Sequence, residues 1–322
     1  MLKGKPGASP GQVRGGADTA PMSDALLLLP DFALILCGYL ICHHTPLDRP
    51  VWDSAERLVY YLLFPALLFN AIVRNPLALS TALPLAGSAL AVVAVGIAAA
   101  FLLRAWRGVD VRLHASGAQT AFRFNSYVAL ALAERLHSGP GLAWMALLIA
   151  VCVPVCNVAA VWPLARQGGH GFGRELVRNP LILATASGLA FNLLGLKLPE
   201  LASTTLGRLG AAALPLGLMA VGAGLQLGAL REGPRLAAAL LAIKHLLMPA
   251  VAVALVIAWP LPPGQQAIVV AFAALPTASS AYVLAVRMGG NGPFTAGLIT
   301  VSTLIGMAGL PLWLAAWRSM AQ

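Results

Sequence analysis

A chain of 322 residues that is 59% hydrophobic and only 10% charged is not an ordinary soluble domain, because such domains carry roughly a quarter charged residues. The formal net charge of +10 comes from basic residues set singly or in pairs in short loops. Without aromatic interleaving or a basic face, that pattern marks membrane topology and excludes a nucleic-acid partner. Cys37, Cys42, Cys152 and Cys156 have no metal-ligand or redox spacing and read as small apolar packing residues. No metal or cofactor is expected.

Residues 1–21 are rich in Gly, Pro, Lys and Arg and lack periodicity. They are expected to be a disordered tail or the product of a start assigned too early, with Met22 as the true first residue. No cleavage site follows a short apolar core, so this is not a secretory signal. Beyond Met22, apolar runs of roughly 18 to 25 residues recur, the length that crosses a ~30 Å hydrocarbon core. They lack the alternation of a barrel strand, and only helices or closed barrels satisfy their own backbone in lipid. The expected fold class is therefore all-α integral membrane. Spans are predicted at 25–42, 55–73, 82–103, 115–135, 141–164, 179–196, 208–227, 236–258, 265–286 and 294–316.

Basic residues concentrate after the odd-numbered spans, at Arg49, Arg104, Arg107, Arg112, Arg166, Arg174, Arg178, Arg231, Arg235 and Arg287. Positive-inside charge then places both termini outside the cytoplasm. Proline occurs within spans at Pro65, Pro84, Pro154, Pro215, Pro249, Pro276 and Pro311. Each removes a donor and frees a carbonyl that a neighbouring helix or a cavity must satisfy.

A shift of about 150 residues partly overlays the two halves, as in the inverted repeats of secondary transporters. Arg57-Leu58 through Pro65 falls on Arg208-Leu209 through Pro215. At a shift of 152, Ala129, Leu132, Ala133 and Arg135 fall on Ala281, Leu284, Ala285 and Arg287. An odd number of spans separates the copies, so the second is expected upside down. The expected organisation is 22–164 as one five-helix repeat, 165–178 as a cytoplasmic linker and 179–322 as the inverted second repeat.

Two polar stretches stand out inside spans. Leu275-Pro276-Thr277-Ala278-Ser279-Ser280 places a Pro and small hydroxyl residues in the ninth, and Phe122-Arg123-Phe124-Asn125-Ser126-Tyr127 places an Arg and an Asn in the fourth. An Arg at that depth is expected to face a cavity or a partner. Two helix ends meeting there would present free amides suited to a carboxylate. Asp31, after Pro30, reads as a coupling group or as an interfacial cap. Lys244, beside His245, reads as a carbonyl holder or as compensation for an anion. Asn70 is placed to face substrate from the second span, and Gln226 reads as helix packing.

At these residues the chain resembles the auxin efflux carrier family, and within it bacterial members described as malonate or dicarboxylate carriers. The matching stretches are Glu56-Arg57-Leu58-Val59-Tyr60-Tyr61 through Phe64-Pro65-Ala66-Leu67-Leu68-Phe69, Phe122 to Tyr127, Arg178-Asn179-Pro180-Leu181-Ile182, Ala213-Leu214-Pro215-Leu216, and Ala274 to Tyr282. The resemblance implies two inverted five-helix repeats with the fourth and ninth helices broken and crossing. It also implies a scaffold containing the second and seventh helices, elevator-like movement and organic-anion substrates. Asn125 and Ser126 on one helix, and Pro276 and Thr277 on the other, take the crossing positions. The plant carriers have a Pro at the first crossing; this chain has neither Pro nor Gly between Gly117 and Gly139.

The expected substrate-binding residues are Arg123, Asn125, Ser126, Tyr127, Pro276, Thr277, Ser279 and Asn70, with Asp31 and Lys244 in coupling or support. The expected function is a secondary carrier, in the efflux direction, for a small organic anion such as malonate. Proton or sodium coupling and a homodimer formed through the scaffold go with that reading. A channel or a non-transporting sensor on the same fold is the alternative. An intramembrane enzyme is disfavoured, since the chain has no G-x-S-x-G, H-E-x-x-H or phosphate-binding Gly loop.

Overall fold

The computed structural model describes residues 24–75, 79–137, 140–168, 180–225, 232–259 and 261–321. The expected tail at 1–21, Gln226 and most of the expected linker lie outside the described residues. Among the described residues all regular structure is helical. The first half comprises α1 (Asp24–His44), α2 (Arg49–Arg74), α3 (Leu79–Leu102), α4 (Val111–Gly117), α5 (Ser126–Leu136) and α6 (Pro140–Gly168). The second comprises α7 (Pro180–Leu193), α8 (Glu200–Ala223), α9 (Pro234–Ala258), α10 (Pro263–Ala274), α11 (Ser280–Arg287) and α12 (Gly292–Ala321).

Among the described residues, 6 helices are long and apolar enough to cross a membrane: α2, α3, α6, α8, α9 and α12. Shorter apolar stretches, Leu29–His44 and Leu183–Leu193, belong to α1 and α7. The intervals expected to hold the fourth and ninth spans are each occupied by two helices, α4 with α5 and α10 with α11. Two other helices start earlier than their apolar runs, α2 at Arg49 and α8 at Glu200. Hydropathy marks where a helix meets lipid, whereas polar first turns are held by local bonds. In α2, Trp52 is buried and its Nε1 donates to the Leu47 carbonyl at 3.0 Å.

Packing sorts the helices into two groups. α1 lies along α8, and α2 lies between α7 and α8. α3, α6, α9 and α12 gather round α10. Residues 268–278, which run out of α10 into the segment beyond it, are buried without interruption. A helix that is apolar all round belongs inside a bundle, and the Ala and Val side chains of α10 let its neighbours approach closely.

Two glycines permit the closest backbone approach in the first group. A Cβ at Gly38 would strike the Met219 carbonyl, and one at Gly222 would strike the Ile35 carbonyl. Lipid tails are as apolar as leucine, so such contacts rest on close packing and not on hydrophobic burial between the helices.

The prolines divide by consequence. Pro84, Pro154, Pro215 and Pro311 lie inside continuous helices. Pro65 and Pro249 each follow a π-helical turn, Val59–Leu63 and Ile243–Leu247. The His245 carbonyl, four residues before Pro249 and so without its helical donor, accepts a hydrogen bond from Trp313 Nε1 at 2.9 Å. Trp313 on α12 thereby satisfies a polar group that lipid could not.

A glycine test follows for the α1–α8 contact. Gly222→Val should destabilise the protein by about 1–3 kcal/mol, read as earlier thermal unfolding in detergent. Gly87→Ala, where nothing lies within 4 Å of the added Cβ, should leave unfolding unchanged.

Candidate functional site

The chain stops being helical at two places inside the protein, and these two places touch. After α4 a 3-10 turn, Ala118–Ala121, leads to Phe122, and the backbone straightens until α5 starts at Ser126. After α10 the backbone at Leu275 is extended (φ −56, ψ 146), and helix resumes only at Ser280. The Asn125 amide donates to the Pro276 carbonyl at 2.9 Å, joining one break to the other.

The first break has no proline, and its cause is a cap. Asn125 is extended (φ −81, ψ 106), and its Oδ1 accepts from the amides of Tyr127 and Val128 at 3.0 and 3.3 Å. An Asn at the N-cap satisfies two of the orphan donors of a new helix, so it starts α5 as firmly as a proline ends α10. At the second break Pro276 has no donor. The Thr277 amide donates to Ser302 Oγ at 2.9 Å, and the same hydroxyl is 2.8 Å from His245 Nε2. Gly306 on α12 makes room for the Pro276 ring, which an added Cβ would meet at 3.1 Å.

Polar atoms remain over after this pairing. Asn125 is 1% exposed and Thr277 0%, and neither Asn125 Nδ2 nor Thr277 Oγ1 has a hydrogen-bond partner among the described residues. Asn125 caps α5 and Thr277 lies three residues before α11 begins, so both are near helix ends whose dipoles are positive. Arg123, half-buried, bridges the two breaks. Its guanidinium donates to Gln119 Oε1 and to Ser280 Oγ, both at 3.0 Å. Gln119 Nε2 in turn donates to the Ala281 carbonyl at 3.1 Å. A cation, two helix N-termini and two unpaired buried polar atoms together form an environment suited to an anion.

The expected site residues fall into two sets. Arg123, Asn125, Ser126, Tyr127, Pro276, Thr277 and Ser279 all lie in or beside the two breaks. Tyr127 also meets the other helix group, with its ring 4.6 Å from that of Phe64 on α2 and packed against Gly217 of α8. Asn70 is elsewhere: its Oδ1 accepts from Ser203 Oγ of α8 at 3.2 Å, and that hydroxyl also accepts from Arg74 Nε at 2.8 Å. Asp31 pairs with Arg135 at the end of α5, at 3.3 Å. Lys244 is buried in the π turn of α9.

Sequence reasoning passed over Gln119, Ser302 and Gly217. Gln119 was legible, as an amide side chain four residues before Arg123 inside an apolar span. Ser302 and Gly217 carry no local signal, because their roles come from a helix remote in sequence.

A family described as "Membrane transport protein" matches residues 165–314. A protein of Rhizobium meliloti (strain 1021) named "Putative malonate transporter" is 26% identical over 302 residues, which cover 88% of this chain and 92% of that protein. These findings bear out the resemblance read from the residues. The chain is a multi-pass membrane protein whose residues 165–314 match a membrane-transport family.

The bond between Ser302 and Thr277 gives a stability test. Ser302→Ala leaves a buried amide without its acceptor, which should cost about 1–3 kcal/mol, measured by thermal unfolding of purified protein. Ser302→Thr keeps the hydroxyl and should cost less.

Proposed function

We propose that this protein is a secondary carrier for a small organic anion, malonate or a related carboxylate, working in the efflux direction by an elevator-like movement. The observation that carries the reading is the contact between the two helix breaks, Asn125 N–H to Pro276 carbonyl at 2.9 Å. It brings the N-termini of α5 and α11 together beside Arg123. Substrate carboxylate takes the unpaired Asn125 Nδ2 and Thr277 Oγ1 together with the Arg123 guanidinium, with Ser126, Tyr127 and Ser279 at the margin.

The same reading treats 22–164 and 179–322 as inverted repeats. Their support is the 152-residue shift, which pairs Phe124-Asn125 in the first break with Pro276-Thr277 in the second. α1, α2, α7 and α8 form the static scaffold, through which two copies associate. The group around α10 carries the site across the inner membrane, with both termini outside the cytoplasm. Tyr127 against Phe64 and Gly217 is the sliding contact between the groups, and Asp31 with Arg135 crosses the same boundary. The substrate is moved unchanged, so no enzymatic role is assigned.

The test is counterflow of labelled malonate into proteoliposomes preloaded with unlabelled malonate, competed by other carboxylates. Saturable accumulation is the expected result; its absence with malonate and every competitor would remove the carrier reading. Variants at Asn125 separate binding from capping. Asn125→Asp keeps the cap acceptor but replaces the amide donor with negative charge, so it should unfold near the wild-type temperature and lose transport. Asn125→Ala should also lose transport, with an added cost of about 1 kcal/mol from the missing cap. Normal counterflow by the Asp variant would make Asn125 a cap alone.

A further inference from the structure

From the end of α3 into α4 the chain reads Leu103-Arg104-Ala105-Trp106-Arg107-Gly108-Val109-Asp110-Val111-Arg112, three arginines against one aspartate. The aspartate is already engaged: Asp110 Oδ1 caps α4 by accepting from the Leu113 amide at 2.8 Å. Arg112 Nη2 donates to the Gly289 carbonyl at 3.1 Å. Arg104 and Arg107 are both exposed, and neither has an ion pair or a hydrogen bond among the described residues. The dipole at the end of α3 amounts to about half an elementary negative charge. Most of the positive charge here is therefore unanswered by the protein.

An open groove of about 640 Å³ lies at the same place, lined by Ala98, Phe101, Leu102, Arg104 and Ala105. Leu102 is 71% exposed and Trp106 51%. In a membrane protein, exposed apolar side chains alone mean only contact with lipid tails. This groove is distinguished by the unpaired guanidinium at its end, with a second arginine and an exposed indole following within three residues. Indole rings of membrane proteins concentrate at headgroup depth. An apolar channel that ends in unpaired positive charge fits a molecule with an acyl chain and an anionic head. A free anion would leave the channel unused, and a zwitterionic head would leave the charge uncompensated. The groove also leads inward: Phe101 packs edge-on against Phe122, with ring centres 6.3 Å apart, and Phe122 begins the first helix break.

We propose that the end of α3 is a binding site for an anionic phospholipid, its phosphate held by Arg104 and Arg107 and an acyl chain lying along Ala98, Phe101 and Leu102. Positive-inside charge assigns this end to the cytoplasmic leaflet, whose anionic lipids gather at basic sites beside membrane helices. A lipid seated there buttresses Phe101 and, through it, Phe122 at the crossing. The site does not depend on the carrier reading, because it belongs to the folded protein in a bilayer whatever that protein moves.

The test uses purified full-length protein in uncharged detergent, titrated with phosphatidylglycerol or with phosphatidylcholine. A ligand that binds the folded state raises the unfolding temperature, so phosphatidylglycerol should raise it saturably and phosphatidylcholine should not. Each basic residue near an anionic surface contributes about fivefold in affinity. Arg104→Gln with Arg107→Gln should therefore raise the half-saturating phosphatidylglycerol at least about tenfold, with unfolding in detergent alone unchanged. Removing the same charge from two other exposed positions, by Arg57→Gln with Lys197→Gln, should leave the response intact. An equal loss in that control would reduce the effect to net charge and overturn the site. Ala98→Phe keeps both arginines but fills the groove, and should weaken the response; a response equal to wild type would mean that no acyl chain lies there and would overturn the lipid assignment. So would equal stabilisation by soluble glycerol 3-phosphate, which carries the phosphate without the chains. Absence of any stabilisation of the wild type by phosphatidylglycerol would remove the proposal altogether.

Discussion

The single hydrogen bond from the Asn125 amide to the Pro276 carbonyl holds together two segments that have no regular structure of their own. Inside a membrane protein, unwound backbone is tolerated only where other groups satisfy it. The surrounding elements supply those groups. Asn125 Oδ1 takes two amides of α5, Ser302 takes the amide of Thr277, and Gln119 and Arg123 tie the end of α4 to the start of α11. The crossing is therefore a small polar network enclosed by apolar helices, and the network fixes where the two helix pairs lie.

The division of the helices into two groups gives that network its setting. α1 against α8 meets backbone to backbone at Gly38 and Gly222, a contact whose tightness leaves little room to slide. The boundary between groups is different in kind. It runs where α2 meets α6, α8 meets α5 and α1 meets α12, and it includes the Tyr127 ring on Gly217 and the ion pair of Asp31 with Arg135. A partly exposed ion pair of this kind contributes little to holding the groups together. The proposed elevator-like movement runs along that boundary.

Prolines illustrate how one residue type serves different ends. Pro276 ends a helix, Pro65 and Pro249 each follow a π turn, and Pro84, Pro154, Pro215 and Pro311 are absorbed. The residue is the same, but the fate of the freed carbonyl differs with what lies nearby. At Pro249 an indole from α12 accepts the task, and the neighbouring Lys244 is left buried beside the end of α4.

Much of this was legible along the chain. Apolar runs of membrane length, scarce charge and the Pro-Thr-Ala-Ser-Ser stretch follow from local composition, since lipid imposes the same solvent on every span. The break before α5 is also written locally, in Asn125, whose amide side chain caps the new helix where no proline is present. Asn70 shows the opposite limit. Its polarity in an apolar span marked it as special, but only the packing of α2 on α8 decided that its partner is Ser203. Composition and period determine which segments are helices, because each segment's exposure to lipid is written in its own residues. Which polar atoms are paired and which are left over is decided by tertiary structure, because each pair joins residues from distant parts of the chain.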